Sequence, residues 1–223
     1  MQVFLEVGKK RTFAAALDWP GWCRGGKDEA AALQTLLEYG PRYAQAIASA
    51  QLAFTAPESI QALTVVERLE GNVGTDFGAP NVAPSVDEAP VSEVDLERFQ
   101  SLLRAMWVSF DATVTAAEGK ALRTGPRGGG RDLQKIVEHV FEAELAYLSR
   151  LGGALSAQEK KAGPPQGLPA LRRAVLDTLG PAARGELPRE GPRGGKRWSA
   201  RFYVRYAAWH LLDHTWEIED RLV

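Results

Sequence analysis

The stretch from Gly71 to Pro90 constrains this chain most, because it separates the 223-residue sequence into two parts of unlike character. It holds three glycines and three prolines and no periodic hydrophobic pattern. That composition is typical of a connecting segment rather than of a helix or a strand. The sequence therefore predicts a small unit over residues 1–70, a linker over 71–91 and a larger unit over 92–223.

The first part combines strand and helix patterns. Short apolar runs at 3–7 and 12–17 are typical of a hairpin. Residues 28–50 are rich in Ala, Leu, Gln and Glu, and they predict a helix that Gly40-Pro41 breaks or kinks. The run 63–69 predicts a further strand. We therefore expect a β-β-α-β unit.

The second part carries helical patterns throughout. Ser92 opens a capping-box signature, and Asp132 and Ser199 can each cap a further helix. A shorter helix is predicted over 168–179, ended by Gly180-Pro181. Four helices of this kind favour a bundle. The expected fold class is α+β, with the small β-β-α-β domain followed by an all-α four-helix bundle.

Composition excludes several classes of function. The formal net charge of -1 argues against a protein that binds nucleic acid through its overall charge. A single cysteine, Cys23, excludes an internal disulfide and any metal site built from several thiolates. The sequence holds no apolar run long enough to span a membrane, and its N-terminus lacks the features of a signal peptide. We expect a cytoplasmic protein whose partner is a small molecule, with a homodimer left open.

The histidines are few and their placement is informative. His139 falls on the second predicted helix of the larger unit, and His210 and His214 fall on the fourth. The pair at i and i+4 projects from one helical face, which allows two imidazoles to grip one metal ion. A third imidazole from a neighbouring helix would leave a position open for water or substrate, as in catalytic sites. A packed core histidine is the alternative that spacing alone leaves open.

The face of the fourth helix that carries the histidine pair is polar and aromatic. It also presents Tyr203, Tyr206, Glu217 and Arg221. We take Glu217, Tyr203 and Tyr206 as candidate catalytic residues for proton transfer or orientation. Glu217, one turn beyond His214, is expected either to accept the second ring N–H of that histidine or to serve as a fourth ligand.

Two further features of the larger unit are candidates for binding a metal or an anion. Glu144 lies at the centre of the apolar face of the second helix, where a metal or a ligand histidine would supply the partner that a buried carboxylate needs. The loops 125–131 and 191–197 share the sequence Gly-Pro-Arg-Gly-Gly. They are either flexible basic loops or anion-binding approaches to helix N-termini.

The larger unit resembles the DinB-like superfamily (DinB/YfiT type) of metal-binding four-helix bundles. The resemblance runs from about Ser92 to Arg221 and rests on the segments 136–148 and 209–214. It implies a divalent metal, commonly zinc or nickel, held by His139, His210 and His214. It also implies a long crossover between the second and third helices, for which the stretch 152–167 is long enough.

The smaller unit resembles a HicB-type antitoxin fold. The resemblance covers roughly residues 1–70 and centres on 13–21 and 26–33. No helix-turn-helix or ribbon-helix-helix pattern accompanies it, so an antitoxin role does not follow. Cys23 is interpreted either as a reactive thiol or as an ordinary small residue at a turn.

Two functions are carried forward. The first is a metal-dependent enzyme of the DinB-like type, in which the metal activates a low-molecular-weight thiol or a water for attack on a small electrophile. A thiol-dependent S-transferase or isomerase would be of this kind. The second is a non-catalytic, stress-related module that binds a metal and mediates protein contacts.

Overall fold

A computed structural model describes residues 1–124, 130–192 and 194–223. The fold is mixed α/β, with strands in the N-terminal part and a helical C-terminal part, which confirms the coarse fold class. The elements in chain order are β1 (Gln2–Val7), β2 (Thr12–Ala16), β3 (Cys23–Gly26), α1 (Glu29–Glu38), α2 (Gly40–Ala46), β4 (Thr64–Glu70), α3 (Val73–Phe77), α4 (Glu93–Ala117), α5 (Leu133–Leu151), α6 (Ala157–Ala162), α7 (Leu168–Ala183) and α8 (Ala200–Arg221).

The four strands form one sheet in the order β3-β2-β1-β4. β1 pairs antiparallel with β2, as the hairpin prediction requires, and parallel with β4. Both faces of the central strands are covered. Val3 and Leu5 belong to the main core together with residues of α1, whereas Phe4 packs with Trp209 of α8 on the other face. Burial on both sides explains why β1 and β2 read as continuous apolar runs.

The strand β3 was not predicted, and its glycines explain why. Glycine is depleted in strands, so the sequence 23–26 is more typical of a turn. A Cβ on Gly26 would lie 2.3 Å from the backbone nitrogen of Ala32 in α1, and one on Gly25 would lie 3.1 Å from the ring of Phe13. The two glycines therefore allow α1 and a neighbouring ring to approach the edge of the sheet.

The segment 71–91, predicted as a linker, is anchored at two buried carboxylates. The Glu6 carboxylate of β1 accepts hydrogen bonds from Thr75 Oγ1 at 2.5 Å and from the backbone N–H groups of Asn81 and Val82 at 3.1 and 3.0 Å. The Asp87 side chain is fully buried further along the segment. Hydrogen bonds to buried carboxylates do not require a periodic pattern of hydrophobic residues. The composition of the segment therefore does not reveal that it is anchored.

The predicted helix starts in the C-terminal part are confirmed. Ser92 and Asp95 complete a capping box, Asp132 accepts from the Lys135 N–H, and Ser199 accepts from the Phe202 N–H. The predicted end of the third long helix is wrong, because α7 continues through Gly180-Pro181 to Ala183. Gly180 has no Cβ to clash with the proline ring, so it tolerates the helical conformation before a proline.

The four longest helices pack against one another. The backbone N–H of Arg123 donates to the Arg221 carbonyl at 2.7 Å, which places the C-terminal ends of α4 and α8 together. The N–H of Trp198 donates to the Arg150 carbonyl at 3.0 Å, so α5 ends where α8 begins. It follows that α8 runs parallel to α4 and antiparallel to α5.

The stretch 152–167 crosses back along the helices. Gly153 approaches Thr178 and Gly167 approaches Phe141, so α7 runs parallel to α5 and the chain must return between them. α6 lies within this crossover. Of the two Gly-Pro-Arg-Gly-Gly loops, residues 125–129 and Arg193 lie outside the described residues. The described remainders border opposite ends of α8, which separates the two loops.

An ion pair joins α8 to the N-terminal part. The guanidinium of Arg205, 8% exposed, donates to both oxygens of Asp87 at 2.8 to 3.2 Å. It also donates to the carbonyl oxygens of Ala16 and Leu17 at 2.9 to 3.3 Å. Removing one member of such a pair leaves an uncompensated buried charge.

We predict that Asp87→Ala lowers the free energy of unfolding by about 3 kcal/mol or more. For a chain of this size that corresponds to a fall in Tm of roughly 6–12 °C. Denaturant titration followed by circular dichroism measures the change. Glu88→Ala is the matched control, because the adjacent carboxylate pairs with Lys196 on the surface at 3.1 Å, where such a pair contributes little. Equal losses in the two variants would contradict the role of the buried pair.

Candidate metal centre

The three histidines of the chain meet between α5 and α8. Each offers a ring nitrogen, and these atoms all lie within 4.8 Å of one another. The Nε2 atoms of His139 and His210 are 3.2 Å apart, and the ring centroids of His210 and His214 are 4.6 Å apart. Because His210 and His214 lie one turn apart on α8, a single residue of α5 can approach both of them. This trio could hold a metal ion.

A carboxylate orients the third imidazole. Glu217 Oε2 lies 2.8 Å from His214 Nδ1. An ionised carboxylate only accepts hydrogen bonds, so Nδ1 carries a proton, and Nε2 is the nitrogen that the neutral imidazole would offer to a metal. Of the two roles expected for Glu217, the structure shows hydrogen bonding to the second ring nitrogen.

Arg221 binds the second carboxylate oxygen of Glu217. The guanidinium donates to Glu217 Oε1 at 2.6 Å and to the carbonyl oxygens of Arg123 and Arg131, both at 2.8 Å. The pKa of Glu217 is lowered, chiefly by its hydrogen bond to His214 and further by Arg221. The chain from Arg221 through Glu217 to His214 is therefore a fixed and ionised support for one imidazole.

The protonation of the histidines suits a metal ligand. Burial lowers the pKa of His210 to about 2, with a smaller contribution from His214. Burial also lowers the pKa of His139. Both imidazoles are therefore neutral near pH 7, and the neutral imidazole is the form that binds a metal. The Nδ1 atom of His210 is buried and has no hydrogen-bond partner among the described residues.

Solvent reaches the site at one of its three histidines. His210 and His214 are each 8% exposed, whereas His139 is half-buried. Three nitrogen ligands with an accessible side is the arrangement of catalytic metal sites, whereas structural sites have four protein ligands. The donors fit zinc and nickel alike, since imidazole suits both.

Glu144 does not join this centre, contrary to expectation. Its Oε1 accepts a hydrogen bond from the indole Nε1 of Trp107 in α4 at 3.1 Å, and its Oε2 has no partner among the described residues. Burial raises the pKa of Glu144. The partner that a buried carboxylate needs is thus supplied by a tryptophan of the core, which the pattern of α5 alone could not reveal.

The two candidate tyrosines lie at different distances from the histidines. Tyr206 is half-buried and packs edge-on against Tyr147, 5.1 Å between centroids, and Tyr147 packs in turn against His210 at 5.4 Å. Tyr203 is 1% exposed. In the described part of the chain, neither a hydrogen bond nor a ring contact links Tyr203 to the three histidines. Tyr147 was missed, although its position eight residues after His139 places it on the same side of α5.

Cys23 is the first residue of β3 rather than a turn residue. It is 3% exposed, and burial raises the pKa of its thiol. Both changes work against a reactive thiol, because the thiolate is the nucleophile and needs access.

No family model, curated protein or solved structure matches this chain. Among the described helices, none is long and apolar enough to cross a membrane.

We predict that the purified protein binds about one divalent metal ion, and that His210→Ala and His214→Ala each abolish stoichiometric binding. Glu217→Ala should retain the stoichiometry at saturation but weaken affinity by about 10–100-fold, because it removes the partner that orients His214. Elemental analysis and competition with a chromogenic chelator measure both quantities. Glu142→Ala, an exposed carboxylate on α5 three residues from His139, should bind as the unsubstituted protein does. A native protein free of transition metal after growth in zinc and nickel would rule the site out.

We also predict that Cys23 resists alkylation in the folded protein. Iodoacetamide at pH 8 should modify it at least about 100-fold more slowly than after unfolding in guanidinium chloride, because burial denies both access and the thiolate form. Mass spectrometry over time gives the two rates. Comparable rates before and after unfolding would show that β3 opens readily.

Proposed function

We propose that this chain is a divalent-metal-dependent enzyme of the DinB-like type. In this proposal α4, α5, α7 and α8 form the four-helix bundle of that superfamily. The parallel course of α5 and α7, with the crossover between them, supports the assignment. The reaction proposed is transfer or isomerisation that uses a low-molecular-weight thiol and a small electrophilic substrate.

One observation carries the proposal most directly. Ring nitrogens of His139, His210 and His214 lie within 4.8 Å of one another, and the trio has an accessible side. A divalent metal bound there would act as a Lewis acid that lowers the pKa of a thiol or water. The thiol would have to come from outside, since the one cysteine of the chain is buried in the sheet.

The surrounding side chains hold the site in one protonation state. Glu217 keeps the proton on His214 Nδ1, and Arg221 keeps Glu217 in place. Burial raises the pKa of Tyr206 and of Tyr203, so both phenols remain protonated at neutral pH. Tyr206 is therefore suited to donate a hydrogen bond near the site rather than to act as a base.

The test is a matrix of thiols and electrophiles with the zinc- or nickel-loaded protein. Glutathione, mycothiol, bacillithiol and cysteine would each be combined with an epoxide, a haloaromatic compound and a cis-unsaturated dicarboxylate. We expect thiol-dependent turnover of at least one pair. The rate should fall by about 100-fold or more in His214→Ala and in the chelator-treated protein, and it should persist in Glu142→Ala.

Other outcomes would redirect the assignment. Stoichiometric metal without turnover across the matrix would contradict the enzyme and favour a non-catalytic metal-binding module. Turnover that survives removal of the metal would place the chemistry elsewhere in the chain. Opening of the epoxide or loss of halide that needs the metal but no thiol would indicate hydrolysis, with water as the nucleophile.

A further inference from the structure

Half-buried aromatic rings extend from His210 toward the start of α8. We call this group the aromatic shelf; it consists of Tyr147, Trp198, Phe202 and Tyr206. The centroids of Trp198 lie 5.1 to 5.4 Å from those of the other three. Tyr147 stands edge-on against His210 at 5.4 Å, with an interplanar angle of 89°. The shelf is thus continuous with the candidate metal centre.

The shelf and the histidines are aligned along both helices. On α8, Phe202, Tyr206 and His210 recur every four residues, so they lie along one side of the helix. On α5, His139, Ala143 and Tyr147 recur in the same way. Ala143 is half-buried, and its methyl group is the smallest side chain between the outermost histidine and the shelf.

The partly exposed aromatic rings are the part of this surface whose burial by a ligand would contribute most to the free energy of binding. Rings that are partly exposed to water offer large apolar faces, and a further ring or alkyl group gains both from burial and from edge or stacking contact. An occupant would have one end at the accessible side of the histidine trio. The shelf therefore meets the end of the ligand that does not reach the metal.

We propose that the shelf binds the apolar, preferably aromatic, portion of a small molecule whose polar head reaches the metal at the histidine trio. The inference rests on the proposed function, because it assumes an open metal position. It adds the substrate class: an amphiphilic molecule with a metal-binding head and an aromatic or alkyl tail, rather than a small polar one.

A matched pair of metal-chelating probes tests the shelf without relying on turnover. Acetohydroxamic acid and 3-phenylpropanohydroxamic acid share one head group and differ in the tail. Calorimetric titration of the zinc-loaded protein should show the phenyl compound binding about tenfold or more tightly. Trp198→Ala should remove most of that preference and leave the affinity for acetohydroxamic acid unchanged.

A second variant and a control guard against a loss of folding. Ala143→Leu keeps the shelf but places a larger side chain between His139 and Tyr147 on α5, and it should also reduce the preference for the phenyl tail. Phe77→Ala removes a ring that is 80% exposed on α3, and it should preserve the preference. Metal content is measured for every variant to show that the histidine trio is intact.

The outcomes separate the two proposals. If neither hydroxamate binds the zinc-loaded protein, the metal has no open position, and the proposed function fails together with this inference. If both bind with equal affinity, the metal site is open but the shelf does not select the tail. A preference that survives both Trp198→Ala and Ala143→Leu would likewise overturn the inference.

Discussion

The ion pair between Arg205 and Asp87 determines how α8 lies against the rest of the chain. The same guanidinium also binds carbonyl groups at the end of β2, so rotation of α8 about its axis would break every one of these bonds. A buried charge stripped of partners costs several kcal/mol, on the order of the total stability of a domain. Arg205 begins a row of α8 residues that recur every four positions. The row continues with Trp209, which packs edge-on against Phe13, and with Asp213, which pairs with Arg24 at 2.8 Å.

The candidate metal centre depends on that rotational position. Tyr206, His210 and His214 each follow one residue after a member of the row that contacts the N-terminal part, so they are turned by about 100° and face α5. The sheet therefore positions the histidines without touching them. This gives the N-terminal part a structural role in the site, since a loosened sheet would allow α8 to turn and the imidazoles to separate.

Local signals predicted more than nonlocal ones did. The helix starts follow from caps that lie within three residues of the groups they bind. The pairing of His210 with His214 follows from helical spacing, whereas the addition of His139 to the set came from the resemblance to the DinB-like superfamily. Two features depend on chain partners far away in sequence: the hydrogen bond from Trp107 to Glu144 and the burial of Asp87. The strand at 23–26 pairs with the nearby β2, but its glycines conceal it in the sequence. The sequence around each of these residues does not indicate which element will pack against it. This holds for the glycines of β3, for Glu144 in an apolar helix face and for Asp87 between prolines.

Glu144 and Glu217, the two acidic residues that the sequence singled out on α5 and α8, differ in the state of their carboxyl groups. Burial raises the pKa of Glu144, whereas the hydrogen bond from His214 lowers that of Glu217. Glu217 is thus the ionised carboxylate beside the histidine trio, and its charge is balanced by Arg221 at 2.6 Å. A set of three imidazole ligands carries no negative charge, so it would leave the charge of a bound divalent cation uncompensated. Such a centre favours an anionic ligand on its open side, and a thiolate fits that requirement better than a neutral group does.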